Sequence, residues 1–465
     1  MFLYTRNHPG HSVYLPPSRR PGLYSIFFSC PILFFIIFLN LVKLAKILLK
    51  YLIMAFLSPI PLFDSLKFID PKKNFLPIPN ATQNNSYAAQ DYAQALKFLY
   101  SYRGSEATFN AYRREIERLL QWSWFVLEKS IKELRQTDLE AFIEFCQQPP
   151  KHWIGVKTVA RYFTHQGQRK PHPDWRPFVA TINKMANQQG IMPDIKKYSL
   201  SQKALQAIFA VCGSFYNYLI QEDYIHFNPV AQIRQKSKFI RQQKSNHQIR
   251  RLSELQWSYV IETAEILYEQ KPALHNRTLF IMKALYGMYL RISELVASPR
   301  WEPQMGHFQK DSDGNWWFLT VGKGNKERLI SVSDNMLLAL KHYRENLGLI
   351  SLPSRGETTP LISKVNGRGA IQSTRQIRCI VQTCFDAAFA RMVKDGLKEE
   401  AIELQTATVH WLRHTGISED VKHRPREHVR DDAGHSSSAI TDQYIDVEMR
   451  ARHASAKKKK LDPLA

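Results

Sequence analysis

"GHSSSAITDQYID", residues 434–446, places His435 nine residues ahead of Tyr444, with three serines between them. Taken alone, the stretch reads as a turn followed by a surface helix that carries a structural tyrosine. Its meaning depends on what precedes it. The chain has 465 residues, enough for two to three domains. Hydrophobic content of 44% and charged content of 23% are ordinary for globular protein. The charge balance is not: 64 Lys and Arg face 41 Asp and Glu, a net +23. That excess implies a polyanionic partner, nucleic acid first and an anionic membrane second. The five cysteines, Cys30, Cys146, Cys212, Cys379 and Cys384, are scattered with no CxxC pair. This argues against a disulfide framework or a thiolate zinc site and fits a reducing compartment.

Residues 23–42, "LYSIFFSCPILFFIIFLNLV", carry no charge and are long enough to span a bilayer as a helix. Arg19 and Arg20 precede the run, and Lys43, Lys46 and Lys50 follow it, so the flanking charge sets no orientation. No small-residue cleavage site follows. Met54 opens "MAFLSPIPLFDSLKF", a reasonable start for a soluble protein. Residues 1–63 therefore read as a hydrophobic N-terminal extension: an upstream segment, a membrane anchor with contact through 23–42, or a buried helix. Residues 64–90, rich in Pro, Asn and Lys, read as a linker.

Residues 91–231 read as an all-helical domain. "ATFNAYRREIERLLQWSWFVL" sets Phe109, Tyr112, Ile116, Leu119 and Leu120 at helical spacing. In "TDLEAFIEFCQQPP" the pattern predicts Thr137 as N-cap and Pro149 as the stop. A Pro- and Lys-rich insert occupies 148–198, and a further helix is expected to close at Asn228-Pro229. Residues 232–251 form a basic linker. The stretch 232–253 holds seven Lys and Arg, among them Lys236, Lys238, Arg241 and Lys244, and no acid. A flexible linker and a segment that tracks a phosphate backbone are compatible readings. The second domain, 252–455, is mainly helical with one β interruption. "NWWFLTV" (315–321), "GKGNKE" and "RLISV" (328–332) predict a hairpin with Lys323 and Lys326 at its turn. A basic tail, 456–465, ends the chain.

Four clusters in the second domain carry chemistry. Arg291 and Glu294 stand three apart in "LYGMYLRISELV", read as one helix. Alone they would be a surface pair worth about 0.2–0.5 kcal/mol. Arg291 is flanked by Leu290, Ile292 and Leu295, however, and an arginine on an apolar helix needs a partner. The second cluster is the hairpin with Lys323. The third is "VHWLRHTG", where His410 and Arg413 share a helix face. The fourth is the opening fragment. Each is weak alone, and their strength lies in the order.

Together "YGMYLRISEL", "VGKGNKERLISV", "HWLRHT" and "GHSSSAITDQYI" resemble the signatures of the tyrosine recombinase (phage integrase) family. The likeness covers residues 252–455, and the helical domain before them is similar to the family's core-binding domain, with an unusual insert. The resemblance implies a mainly α fold with a small β-hairpin sheet: a helical core-binding domain plus a mixed α/β catalytic domain, closing as a clamp on duplex DNA. Residue by residue, Arg291 and Arg413 match the two arginines that grip the scissile phosphate, Lys323 the hairpin lysine, and His410 the first histidine of HxxR. His435 matches a His-or-Trp position, Tyr444 the nucleophile, and Glu294 the acid that braces the first arginine. Lys236, Lys238, Arg241, Lys244 and Lys326 are expected DNA contacts.

The implied activity is site-specific breakage and rejoining of duplex DNA through a 3′-phosphotyrosyl bond, with no metal, ATP or other cofactor. The same resemblance implies a homo-tetramer on two recombination sites and a cytoplasmic, nucleoid-associated location. Two guanidiniums neutralise the transition state. A base such as His410 takes the phenol's proton, and Lys323 protonates the leaving 5′ oxygen. Relaxation of the type IB topoisomerase kind and a catalytically inactive DNA binder are the alternatives. Two departures stand out: Tyr289 replaces the family's usual Gly and is expected to alter packing more than chemistry, and Ala433 replaces its Leu, leaving the hold on His435 open to question.

Overall fold

The computed structural model describes residues 59–69, 86–236, 250–322, 324–365, 368–444 and 456–457. The hydrophobic segment 23–42 lies outside them, and no described helix is long and apolar enough to cross a membrane. The described residues divide into two compact units. One runs to Thr181 and resumes at Pro193. The other holds Ile182–Met192 and all described residues from 250 onward.

The first unit is built on α1 (Ser86–Ser101), α2 (Glu106–Trp122), α3 (Gln136–Gln147), α5 (Gln202–Gln221) and α6 (Pro229–Lys236). Ser105 caps α2 by accepting from the Thr108 amide. Apolar residues at helical spacing, including Phe109, Ile116, Leu119, Phe142, Ile208 and Phe215, close one core. Asp91 is fully buried within it. Burial pushes its carboxyl up, while donors from Trp124, Tyr224, Ile131 and Ser130 draw it back.

Four expectations change here. The α3 cap is not made by Thr137: Asp138, one residue on, accepts from the Arg135 amide at 2.9 Å. Asn228-Pro229 opens α6 rather than closing α5, since proline's fixed φ suits a first helical position and Asn228 Oδ1 accepts from the Val230 amide. Residues 62–69 do not all behave as extension or linker, because Leu62 and Phe63 are 1% exposed and Asp64 holds Arg169. The insert is not helical throughout. Strands β1 (Ile154–Gly155) and β4 (Phe178–Val179) pair in parallel, while β2 (Tyr162–His165) and β3 (Gln168–Pro171) form a hairpin. Gln166 (φ 50°) and Gly167 (φ 76°) make its two-residue turn with both φ positive, the geometry that matches strand twist. Helix α4 (Lys184–Gln188), from the same insert, packs with the second unit, where Lys184 Nζ donates to the Ala407 carbonyl at 2.8 Å.

The second unit begins with α7 (Glu254–Gln270), capped reciprocally by Ser253 and Gln256, and α8 (Pro272–Gly287). A three-stranded antiparallel sheet follows: β5 (Phe308–Lys310), β6 (Trp316–Val321) and β7 (Glu327–Ser331), in that order. The expected hairpin is β6–β7, with Phe318 opposite Ile330, and both side chains are fully buried. Then come α9 (Asp334–Glu345), α10 (Thr374–Lys394), α11 (Lys398–Thr406), α12 (Val409–Asp420), α13 (Arg426–Ala433) and α14 (Ser438–Asp442). Helices α8 and α12 cross closely because Gly416 lacks a side chain: a β-carbon there would fall 2.1 Å from the Tyr286 carbonyl oxygen. This crossing brings the end of α8, and the residues after it, against the HxxR helix.

Candidate active site

Arg291 does not lie on a helix. Helix α8 ends at Gly287, Tyr289 turns the chain with φ 49°, and Arg291 precedes a single 3-10 turn, Ile292–Glu294. The Arg291–Glu294 pairing survives in this setting. The Glu294 carboxylate accepts from the Arg291 amide at 2.8 Å and from Arg291 Nη1 at 3.1 Å. It also accepts both ends of the Arg328 fork, at 2.7 and 2.8 Å. Burial alone would raise the Glu294 pKa, but Arg328 and then Arg291 hold it below the usual carboxylate range. One buried carboxylate thus braces two arginines, and Arg291 Nη2 reaches on to the Gly434 carbonyl at 3.1 Å.

Arg413 is 2% exposed on α12. Its Nη1 donates to the Tyr289 carbonyl, and its Nη2 to the Ala433 carbonyl at 2.6 Å. Burial, then the positive field of Arg291, lowers its pKa to about 10, so the guanidinium remains charged at neutral pH. Arg291 and Arg413 therefore hold consecutive carbonyls, Gly434 and Ala433, at the end of α13. Gly434 is left-handed (φ 62°), and a β-carbon there would lie 2.9 Å from Arg328 Cδ. That is the physical reason for glycine ahead of His435.

His435 follows that turn, its amide bonded to the Arg430 carbonyl at 3.1 Å and its Nδ1 2.9 Å from Thr441 Oγ1. Its ring stacks on Tyr444, with centroids 5.6 Å apart and planes at 19°. Burial, then Arg413, Arg291 and Arg328, pulls its pKa down to about 4. The hold on His435 does not suffer from Ala433, which is fully buried with its carbonyl on Arg413. Asp432 anchors the same turn by accepting from the Ser331 amide at 3.0 Å and from Arg424 Nη2 at 2.6 Å.

Tyr444 is 6% exposed. Burial raises its phenol pKa, while Arg413 and Arg291 oppose the rise. Its oxygen lies 2.6 Å from Nδ1 of His414, a residue that the sequence reading passed over. His410, the expected base, sits one turn earlier with its ring edge-on to His414, centroids 4.3 Å apart. Burial, then His410, Arg413 and His435, lowers the His414 pKa to about 4. The signal for His414 was present as the second histidine of "HWLRHT", directly after Arg413. Arg328, Asp432 and Arg424 were also missed.

Lys323 lies outside the described residues, as do Lys238, Arg241 and Lys244, and the side chain of Lys236 is likewise not described. The residue before Lys323, Gly322, borders the arginine cluster: a β-carbon there would lie 3.0 Å from Arg328 Nη1 and 3.4 Å from Arg291 Nη1. Lys326 is exposed beyond the turn, its carbonyl accepting from the Gly322 amide. Among the described residues, no group of three or more His, Cys, Asp or Glu side chains could hold a metal.

Residues 250–451 match the model of the Phage integrase family. The chain is 25% identical over 260 residues to tyrosine recombinase XerC of Listeria innocua, covering 55% of this chain and 75% of that protein. It is 26% identical over 316 residues to tyrosine recombinase XerC of Leptospira interrogans, covering 67% and 80%. Among solved structures it is similar to XerH site-specific recombinase bound to palindromic difH substrate, with a TM-score of 0.48, 14% identity, and 81% and 85% of the two chains covered. A lambda integrase dimer bound to a COC′ core site gives 0.43, with 12% identity and 84% and 85% covered. The protein is an enzyme that breaks and rejoins DNA. Its residues 250–451 form a domain of the tyrosine recombinase (phage integrase) family.

Proposed function

We propose that this enzyme carries out site-specific recombination of duplex DNA with Tyr444 as the nucleophile that forms the 3′-phosphotyrosyl bond. The observation that carries the assignment is the burial of the Tyr444 phenol against His414 and His435, within the field of Arg291 and Arg413. Two arginines anchored on carbonyls of one turn form a preorganised cradle for a phosphate. Their geometry is fixed before DNA arrives, so little reorganisation accompanies the reaction. His435 adds a donor beside them, and Lys323, at the hairpin turn next to Gly322, protonates the leaving 5′ oxygen. The bond energy stays in the phosphotyrosyl link, so rejoining needs no ATP.

In this reading residues 252–455 catalyse, the helical domain 91–231 grips the DNA, and the basic linker 232–251 tracks the backbone. The working form is a homo-tetramer on two sites in the nucleoid. Topoisomerase-like relaxation and inactive DNA binding are not favoured by a family of recombinases and by the Arg-His-Arg-His-Tyr set present here.

A suicide duplex, nicked beside the target site, tests the assignment. The wild-type chain should form a covalent adduct, whereas Tyr444→Phe should bind DNA equally and form none. A persistent adduct in the Phe variant, or labelling of another tyrosine, would overturn it. Recombinant product from two intact sites separates recombination from relaxation.

A further inference from the structure

We propose that His414, rather than His410, takes the phenolic proton of Tyr444 as the tyrosine attacks DNA. The proposal rests on Tyr444 being the nucleophile. Its first support is contact: the phenol oxygen is 2.6 Å from His414 Nδ1, within range for direct proton transfer. The second is enclosure. Tyr444 is 6% exposed, so bulk water has little access to its hydroxyl. His435 covers the ring face but turns its Nδ1 to Thr441, 2.9 Å away. The third is register. His414 directly follows Arg413 on α12, so the arginine that grips the phosphate and the group that receives the proton are carried by adjacent residues of one helix. His410, four residues earlier, is exposed, and its ring lies edge-on to that of His414, whereas the phenol's hydrogen bond goes to His414.

His414 is uncharged at neutral pH. Burial and the charges of His410, Arg413 and His435 hold its pKa at about 4, so with the ring proton on Nε2 the Nδ1 lone pair is free to accept. In the free enzyme this makes a weak base, and the phenol stays protonated. A phosphodiester seated between Arg291 and Arg413 brings a negative charge that cancels part of the field depressing His414. The base strengthens when its substrate arrives. The step balances. The Tyr444 O–H proton moves to His414 Nδ1, the phenol oxygen bonds to phosphorus, and the bond from phosphorus to the 5′ oxygen breaks. The leaving oxygen takes its proton from the general acid assigned above. On rejoining, His414 returns its proton to the departing phenolate.

His414→Asn tests the idea, because the asparagine amide oxygen can accept the hydrogen bond but not the proton. With the full-length chain and the suicide duplex, DNA affinity should be unchanged and single-turnover cleavage should fall by about 100-fold or more. His414→Gly should respond to added imidazoles, with more basic imidazoles giving faster adduct formation. Wild-type cleavage by the Asn variant would reduce His414 to a positioning residue and overturn the proposal, as would a Gly defect that no imidazole relieves. Should the Gly variant not fold, the pH profile of the Asn variant decides. Cleavage rising with hydroxide up to the phenol's own pKa supports the loss of a base, and a profile parallel to wild type overturns it. Tyr444→Phe is run beside these variants. An adduct in that variant sinks the nucleophile assignment, whereas an adduct lost there but undiminished in His414→Asn sinks only the proton assignment.

Discussion

At neutral pH the imidazoles of His414 and His435 are both uncharged, because burial and nearby guanidiniums hold their pKa values at about 4. In the unfolded chain each would titrate near 6.5. Between roughly pH 6.5 and 4 the unfolded state therefore binds more protons than the native one. Their contribution to stability is complete above the unfolded value and declines as pH falls toward 4. Each tenfold loss of proton affinity on folding is worth at most ~1.4 kcal/mol, and less for rings that remain partly exposed. Urea midpoints measured from pH 7 to pH 4 should fall, and His435→Asn should flatten the slope. An unaltered slope would exclude His435 as a source. Lys323 is tested by chemistry. Lys323→Ala should cleave normal DNA poorly and recover on a strand with sulfur as the bridging 5′ atom, a leaving group that hardly needs a proton. An equal defect on both strands would leave Lys323 as a phosphate contact only, and Lys326→Ala run alongside decides between the two lysines.

At the scale of elements, the turn after α8 shows how a departure from the family pattern is accommodated. Tyr289 occupies a left-handed position (φ 49°) that glycine would take without strain. That conformation costs a β-carbon-bearing residue roughly 1–2 kcal/mol. In exchange its ring is 1% exposed, its hydroxyl donates to Asp420 and accepts from Arg424 Nη1 at 3.0 Å, and its carbonyl receives Arg413. Arg424 extends this strut to Asp432 and Ser331, and so to the turn that presents His435. Removing a buried aromatic side chain costs about 3–5 kcal/mol. The larger effect wins, so Tyr289→Gly should lower stability by about 2–3 kcal/mol even though glycine suits the backbone. Urea unfolding of the variant measures it, and a stabilised Tyr289→Gly would show that the strain outweighs the packing. The carbonyl that receives Arg413 belongs to the backbone and would be there with glycine, so what the tyrosine side chain adds is the packing and the hydroxyl link to Asp420 and Arg424.

At the scale of the whole molecule, the net charge of +23 favours a polyanionic partner, and the stretch 232–253 carries seven Lys and Arg with no acid. Neutralising Lys236, Lys238, Arg241 and Lys244 together removes up to four phosphate contacts. At about 0.9 per contact, the slope of log K against log salt should become shallower by up to roughly 3–4 units, alike on target and random DNA. An unchanged slope would mean that the segment does not touch the backbone. Loss confined to target DNA would mean that it reads bases.

What could be read along the chain was whatever neighbours in sequence decide. Helical spacing on α2, the β-rich runs around "GKGN", the Arg291–Glu294 pair, the shared face of His410 and Arg413, and the interval from His435 to Tyr444 all depend on residues a few positions apart. What only the tertiary structure decided was which groups from distant segments meet. Arg328 joins Glu294 across 34 residues, Asp432 joins Ser331 across 101, and Arg413 reaches back 124 residues to the Tyr289 carbonyl. Strand β4 pairs with β1 across the insert, and a two-residue strand has no periodicity to announce it. The choice of histidine for the phenol belongs to the same class. His410 and His414 are one turn apart on α12 and chemically identical, and the path of the chain from Gly434 to Tyr444 brings the hydroxyl to the second. Local sequence sets what each residue can do, whereas burial and long-range hydrogen bonds select the one that does it, because a buried polar group takes whichever partner the packing leaves within reach.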